Sequence, residues 1–258
     1  MPVDQQYYRE VASGNTAEKL LIAARDRIFQ DFIAQMQPSG SDEILDVGVS
    51  DVINDGANVL ERSYPHQHKI TACGLGEGIG FKAAFPLCRY VQIEPNTRLP
   101  FDDNAFDVAT SNAVLEHTGS HGNQVLLVKE LCRVARRVFI TVPNRFFPVE
   151  HHTAIPLAHY LDGTFRIACM IAGKSEWTDE QNLILMTRKR LLRLAALVAK
   201  SGIAKSEIAK SEIVKSEIVK SEIVKSEIVK SEIVKSAAVG YTGLLLGPLS
   251  SNLYLAFR

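Results

Sequence analysis

The 258-residue sequence is short of the features that mark secreted, membrane-embedded or zinc-stapled proteins. Only four cysteines occur, Cys73, Cys88, Cys132 and Cys169, and none stands in a CxxC or Cys/His ligand spacing. That excludes a disulfide framework and a zinc ribbon, and fits small buried thiols in a reducing compartment. No apolar run approaches the about 18–20 residues of a membrane span, and the opening MPVDQQYYRE has no signal-peptide pattern. The expectation is a cytoplasmic protein without a transmembrane segment. An excess of one charge is also missing, since 29 basic residues balance 29 acidic ones. Such a chain has no long-range field to collect nucleic acid, and none is expected as a partner.

What the sequence does have is a strand–helix rhythm. Apolar residues at helical spacing (Leu20, Leu21, Ala24, Ile28, Phe32) predict a helix over Thr16–Met36, stopped by Pro38-Ser39-Gly40. Short apolar runs at Glu43–Val49, Lys69–Gly74, Tyr90–Ile93, Phe106–Ser111 and Val138–Val142 read as buried parallel strands. Helical stretches such as Asn123–Ala135 fit between them, which argues for a sheet covered on both faces. The rhythm breaks over 146–186, a stretch with Pro148, Pro156 and Trp177 that reads as a lid insertion. It returns with the amphipathic helix Thr187–Lys200 and a closing strand near Leu253–Phe257. The expected organisation is an N-terminal helical extension (1–40), a cofactor half (41–145), the lid (146–186) and a C-terminal part (187–258).

Within that last part the unit KSEI(A/V) occurs six times in succession over 205–234. A five-residue period turns each isoleucine about 140° from the last on a helix, so no apolar stripe forms. On a strand it sends successive isoleucines to opposite faces, and a single strand of that length would run roughly 100 Å. A solvated helix with Glu207–Lys210 pairs, or a β-helix of the pentapeptide-repeat kind, are structured readings. The preferred one is a tandem expansion in the connection before the final hairpin, with no catalytic role.

The chemistry-bearing residues begin at Asp46-Val47-Gly48-Val49-Ser50. A glycine directly after a strand lets the backbone approach a ligand, and an acid at the strand end accepts hydrogen bonds from it. The more specific element is Leu99-Pro100-Phe101-Asp102-Asp103-Asn104-Ala105-Phe106-Asp107-Val108, followed by Ser111, Asn112 and Val114-Leu115-Glu116-His117. Together with ILDVG upstream, it resembles the class I S-adenosylmethionine-dependent methyltransferases of the small-molecule branch, over roughly Glu43–Val142. The resemblance implies a doubly wound, seven-stranded, mostly parallel α/β sheet of Rossmann-like topology, with an antiparallel final hairpin. It implies S-adenosylmethionine as cofactor, with the methionine end near Asp46, Gly48, Val49 and Ser50 and the reacting methyl beside Ser111 and Asn112. The ribose-binding acid of the family falls near Gly74, with Glu77 three residues on, and its adenine-facing acid falls on Pro95, with Glu94 adjacent. Departures are visible: the loop after the first strand has one glycine where the family has several, and no acid ends the second strand. Gly74–Gly80 departs from a dinucleotide fingerprint in spacing and in place.

On the acceptor side, His117 is a candidate general base at the exit of the fourth strand. Pro143–His152 follows the fifth strand, and Glu150 with His152 reads as an acid-oriented base. His151, His152 and His159 lack the accompanying spacing of a metal site, and no metal is expected. Arg188, Lys189, Arg190 and Arg193 form a basic stretch suited to a solvated face or an anionic acceptor. The implied reaction is methyl transfer to a small molecule or to a lipid- or glycan-linked precursor. The competing reading is a catalytically inactive scaffold that has kept the fold.

Overall fold

The computed structural model describes residues 16–53, 57–203, 223–224, 236–246 and 249–258. The expected N-terminal extension is therefore described from Thr16 onward, and the KSEI(A/V) run lies outside the described residues apart from Ile223–Val224.

Five parallel strands carry the sheet: β1 (Ile44–Val47), β2 (Ile70–Gly74), β3 (Arg89–Gln92), β4 (Phe106–Asn112) and β5 (Ala135–Pro143). Beyond them stand the two-residue β6 (Ile223–Val224), β7 (Ala237–Leu246) and β8 (Leu249–Phe257). The spatial order is β3-β2-β1-β4-β5-β8-β7-β6, and β8 runs antiparallel to both β5 and β7. This is the expected doubly wound α/β sheet of seven main strands with an antiparallel final hairpin, extended by one short edge strand. The helices are α1 (Thr16–Met36), α2 (Val59–Ser63), α3 (Ile79–Ala84), α4 (His121–Val134), α5 (Asp162–Ile171) and α6 (Arg188–Ile203).

Burial follows the alternation of the strands. Ile44, Val108 and Phe139 point to the face covered by α1, where they meet Ile28, Phe32 and Met36. Leu45, Ala109, Val138 and Ile140 point the other way, onto Val128 and Leu131 of α4 and Leu191 and Leu194 of α6. Strands buried on both faces need apolar residues at consecutive positions, which is why β1 and Val138–Val142 of β5 read as mainly apolar runs. α4 starts on Ser120, whose hydroxyl accepts the Asn123 backbone N–H at 3.1 Å and satisfies one donor of the first turn.

The stretch between β5 and α6 makes a small core of its own from Phe165, Cys169, Trp177 and Leu183. It is tied to the sheet end through Arg145, which donates to the His159 carbonyl at 2.9 Å and pairs with Asp162 at 2.5 Å.

Candidate active site

β1 has β2 on one side and β4 on the other, so the chain order reverses at β1 and a crevice opens at the C-terminal strand ends. A cleft of about 560 Å³ lies there, walled by α1 on its outer side. Its lining includes Asp46, Gly48, Val49, Ser50 and Asn112, five of the nine residues expected to hold the cofactor. The Gly48 and Val49 N–H groups both donate to the Cys73 carbonyl, at 2.8 and 3.1 Å, which pins the loop across the end of β2. Gly48 stands at φ +102°, and a Cβ there would come within 2.1 Å of the Val114 side chain. One glycine therefore serves two needs: the loop takes a turn closed to L residues, and the segment after β4 presses against it. Ser50 and Asn58 close the loop reciprocally, through Ser50 N–H to Asn58 Oδ1 at 2.9 Å and Asn58 Nδ2–H to the Ser50 carbonyl at 2.8 Å.

The remaining expected cofactor residues stand elsewhere. Ser111 is fully buried and donates to the Val47 carbonyl at 2.8 Å, so its hydroxyl links β4 to β1. The Gly74 carbonyl accepts the Ile93 N–H at 2.9 Å, and Glu77 and Glu94 are exposed on the loops after β2 and β3. The glycines of that first loop fold over Tyr90, whose hydroxyl donates to the Gly76 carbonyl at 2.7 Å.

Two cleft-side charges escape a reading of motifs. Arg25 of α1 is 6% exposed and its Nη1 has no hydrogen-bond partner, while Glu61 of α2 is fully buried with both carboxylate oxygens unpartnered. Burial pushes the Asp46 carboxyl up to about 7, against the lowering effects of Glu61 and Arg25. Glu61 is raised well above its ordinary range by burial and by the neighbouring Asp46 charge. Burial therefore disfavours the charge on both carboxyls, in a neighbourhood that includes the Arg25 guanidinium.

A second group of residues forms where the turn after β4 meets the segment after β5. His117 Nδ1 lies 2.6 Å from the Asn182 carbonyl, and His152 Nδ1 lies 2.8 Å from Glu150 Oε1. The two Nε2 atoms then face each other at 3.1 Å. Glu150 also accepts the Thr153 N–H at 2.6 Å and the Thr153 hydroxyl at 2.8 Å. Burial alone would raise the Glu150 carboxyl, but His152 and the Thr153 donors hold it well below the usual carboxylate range. Burial would likewise lower His152, and the Glu150 charge and hydrogen bond reverse that, so it is raised. Burial and the neighbouring His152 charge bring His117 down to about 3. Trp177 covers the pair, its ring centre 5.0 Å from that of His152. Glu116 was not singled out in the sequence; it is 1% exposed, both its oxygens lack partners, and burial pushes it up to about 7. A smaller cleft of about 260 Å³ borders the group, lined by Glu116, Arg145, Glu150, His151 and Met186 among others. All three expected catalytic residues, His117, Glu150 and His152, are therefore in one cluster.

Residues 73–138 match the family model described as a methyltransferase domain. The fold is that of the class I S-adenosylmethionine-dependent methyltransferases. Among solved structures, the chain is similar to the magnesium protoporphyrin IX methyltransferase ChlM from Synechocystis PCC 6803, solved with bound SAH. Identity there is 10%, over 98% of this chain and 92% of that one, with a TM-score of 0.53. It is also similar to the methyltransferase domain of bacterial CtHen1, at 14% identity over 92% and 98% of the two chains and a TM-score of 0.51. A possible histamine N-methyltransferase from Thermotoga maritima is 11% identical over 99% and 97%, with a TM-score of 0.50. No curated protein matches the chain.

S-adenosylmethionine is the cofactor of this methyltransferase fold, and the large cleft fits its amino-acid end. That end is a zwitterion. Arg25, whose buried Nη1 has no partner, offers a donor for the carboxylate, and Asp46 on the same cleft wall offers acid for the ammonium. Gly48 lines the cleft wall, and the missing Cβ there makes room for Val114 of the turn after β4. The same Arg25 charge acts on Glu116, His151 and His152, so the cleft and the histidine cluster share one electrostatic neighbourhood. No helix among the described residues is long and apolar enough to cross a membrane.

Proposed function

We propose that this chain transfers the methyl group of S-adenosylmethionine to a small molecule, or to a lipid- or sugar-linked intermediate, held in the cleft beside Glu116, Arg145 and His151. The observation that carries the reading is the buried, unpartnered Arg25 Nη1 in one cleft with Asp46 and Gly48, at the crevice where the strand order reverses. The cofactor supplies a methyl group on a sulfonium, which a nucleophile takes by in-line displacement. Little else is asked of the protein beyond alignment and exclusion of water. Asp46, Gly48, Val49, Ser50 and Asn112 fix the methionine end. Glu77 and Glu94, on the loops after β2 and β3, are placed to meet the nucleoside end. Gly48 packs on Val114, so binding at the β1 loop is mechanically linked to the turn that carries His117.

For a hydroxyl acceptor, the proton must leave as the new bond forms. Glu150 orients His152 through Nδ1, so that its Nε2 and that of His117 are the pair of nitrogens available to receive it. A small, partly apolar cleft with two buried carboxyls and one arginine suits an acceptor with a polar head and an apolar body.

The test is transfer of labelled methyl from S-adenosylmethionine to a panel of hydroxyl-, carboxyl- and amine-bearing small molecules and lipid-linked sugars. The expected result is acceptor-dependent label, lost in Asp46→Ala and cut about 100-fold or more in His152→Asn. Cofactor binding without transfer to any acceptor class would favour the scaffold reading. That reading draws on the single glycine of the β1 loop and on the solvent-facing positions of Glu77 and Glu94.

A further inference from the structure

The histidine cluster holds a set of donors that a proton-transfer role leaves unbalanced. His117 Nδ1 faces a carbonyl oxygen, which only accepts, so Nδ1 carries the hydrogen and Nε2 the lone pair. His152 Nδ1 faces the Glu150 carboxylate, so in the neutral ring its Nε2 carries the lone pair as well. The two nitrogens nevertheless approach to 3.1 Å. Something positive must lie between or beside them. A shared proton would satisfy the two rings, but it would leave the Glu116 carboxylate buried with neither oxygen partnered. A divalent cation satisfies all three groups at once.

We propose that Glu116, His117 and His152 bind a divalent transition-metal cation, with zinc as the reference ion. One donor atom from each of the three lies within 4.8 Å of the others. Donors about 2.0–2.1 Å from a common ion stand roughly 3.3 Å apart in a tetrahedron. The 3.1 Å between the two Nε2 atoms already meets that edge. Glu116 Oε1 lies 4.0 Å from His117 Nε2 and reaches the ion by a small rotation of its carboxylate. The outer contacts are those of ligating histidines: one ring hydrogen-bonded through Nδ1 to a carboxylate, the other to a backbone carbonyl. Two imidazoles and one carboxylate form a set that transition metals prefer over calcium or magnesium. Three protein ligands leave a fourth position, and Glu116 places the ion at the border of the smaller cleft, where an exogenous oxygen can reach it.

The sequence pointed instead to His151, His152 and His159, and away from metal. The structure separates those three. His159 Nε2 bonds the Phe147 carbonyl at 2.8 Å, and His151 packs on Phe147. Cation binding does not depend on the function proposed above. Its consequence for methyl transfer does: the histidines become ligands, and the cation in place of a base holds and acidifies an acceptor oxygen.

The test is calorimetric titration of untagged, metal-stripped full-length protein with Zn²⁺, and with Co²⁺ followed by visible absorption. The expected result is one cation per chain with a low-symmetry Co²⁺ spectrum. Glu116→Gln and His152→Asn should weaken binding more than 100-fold, and Glu150→Gln about 10–100-fold through the lost outer contact. His66→Ala/His68→Ala, which removes the pair of neighbouring histidines on the turn before β2, should leave it unchanged. Absence of binding, or binding that follows His66 and His68, overturns the site. If a ligand variant fails to fold, X-ray absorption of the zinc-loaded wild type decides the question. Two imidazoles and a carboxylate support the site, and any other set refutes it. Because the readout is cation binding, its failure leaves the methyl-transfer reading standing, and the reverse also holds.

Discussion

Gly48→Ala tests the join between the cofactor loop and the acceptor turn. At φ +102° an alanine is held in a region that L residues rarely enter, at a cost of about 1–3 kcal/mol. The loop cannot relax freely, because Gly48 and Val49 both donate to the Cys73 carbonyl. The new Cβ would also meet Val114 Cγ2 at 2.1 Å, with Val114 Cβ and Cγ1 at 3.3 and 3.4 Å. Displacing that side chain from a packed wall adds about 1–3 kcal/mol. The sum is roughly 2–6 kcal/mol, and at about 2–4 °C per kcal/mol for a domain of this size the melting temperature should fall by at least about 4 °C. Val114→Ala in the same chain should return part of the second contribution and none of the first, giving a favourable coupling of about 1 kcal/mol or more in a double-mutant cycle. Calorimetric melts of the four proteins read this directly. A Gly48→Ala protein that melts within a degree of wild type, or strictly additive single variants, would refute the strained and tightly packed loop.

Two further outcomes follow from the packing and charge around the cleft. Phe32 of α1 is 3% exposed and meets Phe139 edge-on at 5.8 Å, so Phe32→Ala should cost about 3–5 kcal/mol in urea unfolding. Asp46 has its carboxyl pushed up to about 7 from an unfolded value near 4, so its contribution is present at low pH and is lost as pH rises through about 7. Unfolding free energies at pH 5 and pH 8 should therefore show Asp46→Asn gaining on wild type as pH rises; a constant difference would show that the acid pair is not strained.

The fold was legible because burial on both faces writes itself as unbroken apolar runs, and β1, β2, β4 and β5 all begin within about three residues of the runs that mark them. The strand ends were equally plain, since a ligand-facing loop needs a small residue at Gly48 and polar ones at Ser50 and Asn112. Arg25 was missed although a signal was present. It falls on the same stripe as Ile28, Phe32 and Met36, and a cation on the apolar stripe of a helix calls for a buried partner. Glu61 and Glu116 carried no such mark, because isolated acids in short polar stretches read as solvent-facing. The His117–His152 approach spans 35 positions and depends on how the segment after β5 folds back across the sheet edge, which no local pattern encodes. Glu77 and Glu94 follow only from the resemblance to the family pattern, and the loops that carry them leave both exposed.

If the crevice between α1 and the ends of β1 and β4 holds S-adenosylmethionine by its amino-acid end, calorimetric titration of the purified chain with S-adenosylmethionine and S-adenosylhomocysteine, beside Arg25→Ala and Asp46→Ala, will read it. Wild type should bind both ligands saturably, and each variant should bind more weakly by about 1.5–3 kcal/mol, or roughly 10–150-fold, through loss of a charged hydrogen bond. A folded wild-type protein that binds neither ligand, or variants that bind as tightly as wild type, would contradict it.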